Sequence, residues 1–156
     1  MKTADAFELV TRSPEETQEF GRRLGSQLSA GMVLALIGEL GSGKTTLIQG
    51  LAAGLGIDQT LVKSPTFILL REYPGKIPLV HIDAYRLEGE AAAISLDLDW
   101  FFSPAKVTVI EWADRCAGCL PADRLELRLE HKAAAQRVIR MTAHGPAAQR
   151  ALEALR

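Results

Sequence analysis

The chain has 156 residues, enough for one ordinary domain with a hydrophobic core and too few for two comfortable ones. Apolar residues make up 47% and charged residues 24%, globular proportions that exclude a disordered or low-complexity chain. Eighteen Lys and Arg against nineteen Asp and Glu leave a formal charge of -1, so there is no basic footprint for gripping DNA or an RNA backbone directly.

The longest apolar run, Met32 to Ile37, is far shorter than the roughly 20 residues a membrane-spanning helix needs. The first thirty residues are polar and helical in pattern, without the apolar stretch of a secretion signal, and the expected address is the cytoplasm. Within them Ser13-Pro14-Glu15-Glu16 reads as a helix start, with Ser13 as N-cap and Glu16 closing a capping box. Phe20, Leu24 and Leu28 follow at four-residue spacing, and Gly31 is the expected stop. Met32 to Ile37 is apolar at every position, as a central parallel strand covered on both faces should be.

After a run of glycines, Leu47, Ile48, Leu51, Ala52 and Leu55 recur at helical spacing until Gly56. Phe67 to Glu72 and Ile77 to Ile82 are extended segments that Pro74-Gly75-Lys76 would join as a hairpin. Glu88 to Phe102 reads as a helix punctuated by Ser103-Pro104, and Lys106 to Trp112 as another interior strand. Leu125, Leu127 and Leu129, then Ile139, Met141 and Ala143, alternate with polar residues and predict a second hairpin with one wet face. Pro146 to Arg156 can form a terminal helix. Without repeats or a linker, residues 1–156 are expected to be a single domain, an α/β fold with a central mixed, mostly parallel sheet flanked by helices and carrying antiparallel hairpins.

Gly38-Glu39-Leu40-Gly41-Ser42-Gly43-Lys44-Thr45 matches G-x-x-x-x-G-K-[ST] at every fixed position, between an apolar strand and an amphipathic helix. Glycines in such a loop let successive backbone N–H groups turn inward as an anion nest, and the helix points its positive end at the same place. Lys44 is expected to reach the β- and γ-phosphates, the Thr45 hydroxyl to meet Mg²⁺, and Thr46 to contact the α-phosphate. Such a P-loop also needs a carboxylate at the end of a neighbouring strand, to hold Mg²⁺ or its waters and to polarise the attacking water. Asp83 and Glu111 both end apolar strands, and Glu111, after the more hydrophobic one, is the better candidate for the metal.

With these residues in place the chain resembles the TsaE (YjeE) family. The resemblance rests on the loop from Gly38 to Thr46, Ser64-Pro65-Thr66-Phe67, His81-Ile82-Asp83-Ala84-Tyr85-Arg86-Leu87 and Ile110-Glu111-Trp112, in that order. It implies ATP and Mg²⁺ as ligands, Thr45 and Glu111 on the metal, switch-like or phosphate-facing roles for Thr66 and Asp83, and a place for Trp112 in the site. It further implies a complex with TsaD and TsaB in which ATP hydrolysis supports threonylcarbamoyl transfer to adenosine 37 of tRNA. The transfer chemistry would be TsaD's and the contact with tRNA indirect. The expected catalytic set is Lys44, Asp83 and Glu111. The nucleotide set is Glu39, Leu40, Gly41, Ser42, Gly43, Lys44, Thr45, Thr46, Thr66, Asp83 and Trp112.

A small-molecule kinase is the competing enzyme reading, and a nucleotide-gated binding module the competing non-enzyme one. A guanine-specific switch is disfavoured because no [NT]-K-x-D element is present. Arg86 is the nearest arginine in sequence that could act on the nucleotide, while Arg137 has a looser claim and stays outside the site set. His81 shares a strand face with Asp83 and is expected to be a packed or hydrogen-bonded histidine. Cys116 and Cys119 have redox spacing without its structural context and are expected to be incidental thiols. Asp97 and Asp99 are expected on a solvated helix face.

Overall fold

A computed structural model describes residues 5–39, 41–63, 70–85 and 102–155. The strands and α-helices within them are β1 (Asp5–Thr11), α1 (Pro14–Ser26), β2 (Val33–Gly38), α2 (Lys44–Gly54), β3 (Leu70–Tyr73), β4 (Leu79–Asp83), β5 (Val107–Glu111), β6 (Arg124–Ala133), β7 (Gln136–His144) and α3 (Pro146–Leu155). One seven-stranded sheet runs in the order β1-β7-β6-β2-β5-β4-β3. β6, β2, β5 and β4 are mutually parallel, and antiparallel partners flank them at both edges. This is the mixed, mostly parallel α/β sheet with hairpins that the apolar runs predict. Among the described residues no helix is long and apolar enough to cross a membrane.

The strand alternation sorts side chains onto two faces. Leu34 and Leu36 of β2, Val107 and Val109 of β5, Leu125, Leu127 and Leu129 of β6, and Ile139 and Met141 of β7 bury against α1, α2 and α3. Val33, Ala35, Val80, Ile82 and Ile110 form a smaller cluster on the opposite face. By the same two-residue period His81, Asp83 and Glu111 lie on the helix-covered face, which is where α2 begins.

Two expectations for the first thirty residues need correction. Residues 5–11 are a strand, paired antiparallel with β7 from Asp5↔Ala143 to Thr11↔Arg137. Their alternation is too weak to announce it, and the partner is 132 or so residues away. Helix α1 starts as expected, with Ser13 Oγ accepting from Glu16 N at 3.1 Å, while Glu16 Oε2 accepts from Arg12 N at 3.0 Å. It stops at Ser26 and not at Gly31, whose φ of +96° serves the turn into β2 instead. The hairpin β3–β4 forms as the sequence predicts, with residues 67–69 of its expected first strand outside the described residues, and the hairpin β6–β7 and helix α3 stand as expected. The helix expected from Glu88 falls almost wholly outside the described residues, and so do Asp97 and Asp99. Cys116 and Cys119 lie in a short 3-10 helix, Ala113–Cys119.

Helix α2 is clamped to α1 by glycines on both partners. A Cβ at Gly50 would run into the Gln18 carbonyl oxygen and one at Gly54 into that of Arg22, while Gly21 and Gly25 meet the carbonyls of Leu47 and Leu51 in the same way. The reciprocal four-residue spacing lets the backbones touch, which fixes the axis of α2 and the direction of its first turn. Gly50→Ala is therefore expected to lower unfolding free energy by at least the roughly 1–3 kcal/mol typical of overpacking, measured by chemical denaturation. An unchanged midpoint would show that the helices separate freely.

Candidate functional site

The described helices differ in how their first N–H groups are satisfied. In α1 Glu16 N donates to Ser13 Oγ, and Ala147 N and Ala148 N of α3 donate to the two oxygens of Asp123 at 3.2 and 3.1 Å. α2 begins after Gly43, which has no side chain, and no side-chain hydrogen bond caps it. Its donors and its positive end are left for something else. Gly41 and Gly43 stand at φ of +80° and +100°, a left-handed conformation that a Cβ penalises, and Ser42 N donates to Glu39 O at 3.1 Å within the turn. Ser42 Oγ is buried with no partner among the described residues. Uncapped donors, an unsatisfied hydroxyl and no acidic residue in the first turn of α2 suit an anion with several acceptor oxygens.

Lys44 is only 6% exposed. Its ammonium donates to the carbonyls of Gly38 and Glu39, and the Trp112 ring centroid lies 3.8 Å from Nζ. Burial pushes the Lys44 pKa below the ordinary lysine range, while the negative charges of Glu111, Asp83 and Asp114, in that order, pull it back up. Trp112 takes its position at a cost, because its φ of 58° is left-handed without being glycine. That turn, directly after β5, brings the indole over the loop. Tyr85 packs on it edge to face at 5.0 Å, and the Arg115 guanidinium lies 4.7 Å from the Tyr85 ring centre.

Asp83 and Glu111 end adjacent parallel strands and stand opposite one another in register, with Leu36 of β2 on the other side of Glu111. Asp83 Oδ1 accepts from Tyr85 N at 2.9 Å. Glu111 is buried and its Oε2 lies 2.7 Å from His81 Nε2, so the histidine is hydrogen-bonded as expected, to the acid proposed for the metal. Thr45, in the first turn of α2, supplies a half-buried hydroxyl. Hydroxyl and carboxylate oxygens are the hard donors that suit Mg²⁺. Among the described residues no three His, Cys, Asp or Glu side chains could hold a metal by themselves, so a metal at this site would need further oxygens, as from phosphate and water.

Glu39 and Gly41 are exposed at the loop, and Thr46 is half-buried beside it. Leu40, Thr66 and Arg86 lie outside the described residues. Arg137, kept out of the expected set, is brought to the loop: its guanidinium donates to Gly41 O at 3.1 Å. With Thr46, Gly43, Pro14 and Thr17 it lines a small cavity of about 40 Å³ at the mouth of α2. Sequence distance hides this neighbour, since it depends on β7 returning beside β6. A larger cavity of about 440 Å³ flanks the loop on the β6 side, between Gly38, Glu39, Ser42, Arg128 and His131.

A parallel strand feeding a glycine loop, an uncapped helix behind it and two acids on the next strands define a protein of the P-loop NTPase type. A family model described as "Threonylcarbamoyl adenosine biosynthesis protein TsaE" matches residues 11–139. The chain is 40% identical over 136 residues to "tRNA threonylcarbamoyladenosine biosynthesis protein TsaE" of Bacillus subtilis (strain 168), covering 86% of this chain and 84% of that one. It is 47% identical over 117 residues to the protein of the same name in Streptomyces coelicolor, covering 72% and 78%. A solved structure described as "Crystal structure of Bacillus subtilus YdiB" superposes with a TM-score of 0.84 at 32% identity, over 99% of this chain and 97% of that one. The chain belongs to the TsaE family.

The order of charges around Lys44 gives a test. Glu111 is the largest influence holding its pKa up, so Glu111→Gln is expected to move it further below the ordinary lysine range. The Lys44 side chain, isotopically labelled and titrated by NMR, reports this directly; an unchanged curve would place the carboxylate too far away to matter.

Proposed function

We propose that the protein is a Mg²⁺-dependent ATPase, built as a single P-loop domain, that supports threonylcarbamoyl transfer to adenosine 37 of tRNA in a cytoplasmic complex with TsaD and TsaB. Family membership supports the pathway. The observation that carries the chemistry is the uncapped start of α2 behind the loop Gly38–Thr45, with Lys44 buried beside Glu111 and Asp83.

In this reading the triphosphate lies along Glu39, Leu40, Gly41, Ser42, Gly43, Lys44, Thr45 and Thr46, accepting from backbone N–H groups at the start of α2. Lys44 leaves the indole of Trp112 and the two carbonyls for the β- and γ-phosphate oxygens, exchanging weak partners for full negative charge. Mg²⁺ would be held by Thr45 and Glu111, and its contribution is to neutralise charge on the transferred phosphoryl group. Asp83 shares the strand edge with Glu111, and one of these two acids orients the attacking water, with Thr66 a further switch-like or phosphate-facing residue. Arg137 adds a guanidinium at Gly41. Turnover by the protein alone is expected to be weak and to rise with TsaD and TsaB, with tRNA contacted through the complex; the transfer step belongs to TsaD.

The small-molecule kinase reading draws no support from the relatives. Depleting the protein in cells should lower threonylcarbamoyladenosine in bulk tRNA, measured by nucleoside mass spectrometry. Wild-type protein supplied in trans should restore it and Lys44→Ala should not. An unchanged level on depletion would remove the tRNA assignment. Full rescue by Lys44→Ala would remove the loop from the function.

A further inference from the structure

His81 is fully buried on β4, two residues before Asp83 and on the same face. Its Nε2 lies 2.7 Å from Glu111 Oε2. A carboxylate only accepts, so the ring nitrogen donates. Tyr73, at the end of β3, packs beside the ring with centroids 6.3 Å apart, and the β4–β5 register of His81↔Val109 and Asp83↔Glu111 sets the ring diagonally behind the acid. The imidazole therefore has a fixed rotamer and a fixed partner. A buried histidine on a strand could be packing alone, but packing needs no ring nitrogen on the one buried acid of the site. Among the described residues the other buried charged side chain is Lys44.

We propose that His81 is a positioning residue: by occupying Oε2 it fixes the rotamer of Glu111 and leaves Oε1 as the oxygen presented to a divalent cation or its water. The inference rests on the proposed role of Glu111 at Mg²⁺. Its physical basis is that a carboxylate with neither oxygen held can rotate or shift toward Lys44, whose charge it already feels. One with a single oxygen tied back offers one geometry, as outer partners of metal ligands commonly ensure. Asp83 has its own restraint from Tyr85 N, so the two acids are oriented independently, one by backbone and one by a histidine.

The test separates metal coupling from nucleotide binding. Calorimetric affinity for a non-hydrolysable ATP analogue is measured in EDTA and at saturating Mg²⁺, along with the Mg²⁺ concentration that gives half of the effect. For His81→Leu, affinity in EDTA is expected to stay within about twofold of wild type, while the half-effective Mg²⁺ concentration rises about tenfold or more. His81→Gln, whose amide N–H reaches the same oxygen, should recover most of the loss, and His81→Asn, which is shorter, should not. This Gln against Asn comparison decides the matter even if the leucine variant does not fold. Wild-type Mg²⁺ dependence in His81→Leu, or equal behaviour of Gln and Asn, would overturn the positioning role. Wild-type protein whose affinity ignores Mg²⁺ would instead overturn the reading of Glu111 itself.

Discussion

The backbone N–H groups at the start of α2 have no side-chain cap, and much of the structure near them serves to leave them so. In α1 and α3 the corresponding donors are taken by Ser13 and Asp123. Gly43 offers α2 nothing, and Gly41 and Gly43 hold a backbone shape that residues with a Cβ rarely adopt. β2 aims the loop from the centre of the parallel part of the sheet, and the glycine contacts with α1 keep α2 from tilting away. The sheet and the helix pair thus converge on one short stretch of main chain.

Charge completes the arrangement. Lys44 is a buried ammonium, which burial alone makes costly, and it is supported by the carboxylates that end β4 and β5. It rests on two carbonyls and an indole, contacts weaker than an ion pair with a polyphosphate. Trp112 stands in a strained backbone conformation while serving as that support. Tyr85 and Arg115 lie against the same indole at the surface.

Local signals were legible and long-range ones were not. The loop motif, the caps of α1, the apolar interior strands and the terminal acids Asp83 and Glu111 can each be read from a few neighbouring residues. Strand β1 cannot, because its seven residues gain their conformation from β7 near the other end of the chain. A different non-local pairing, of β6 with β2, carries β7 along as the hairpin partner of β6 and brings Arg137 to Gly41, an approach that sequence spacing gives no means of seeing. The link from His81 to Glu111 needed the parallel register of β4 and β5, although the shared face of His81 and Asp83 was already visible. Gly21, Gly25, Gly50 and Gly54 were present as two G-x-x-x-G pairs, a signal that only packing gives meaning to.

The most direct measurement is a crystal structure of the protein with a non-hydrolysable ATP analogue and magnesium. The phosphate tail should lie against the N–H groups that open α2, with Lys44 Nζ moved from the Trp112 ring onto the β- and γ-phosphate oxygens. A nucleotide bound elsewhere, or Lys44 still on the carbonyls of Gly38 and Glu39 with the loop unchanged, would contradict the central role given to that helix start.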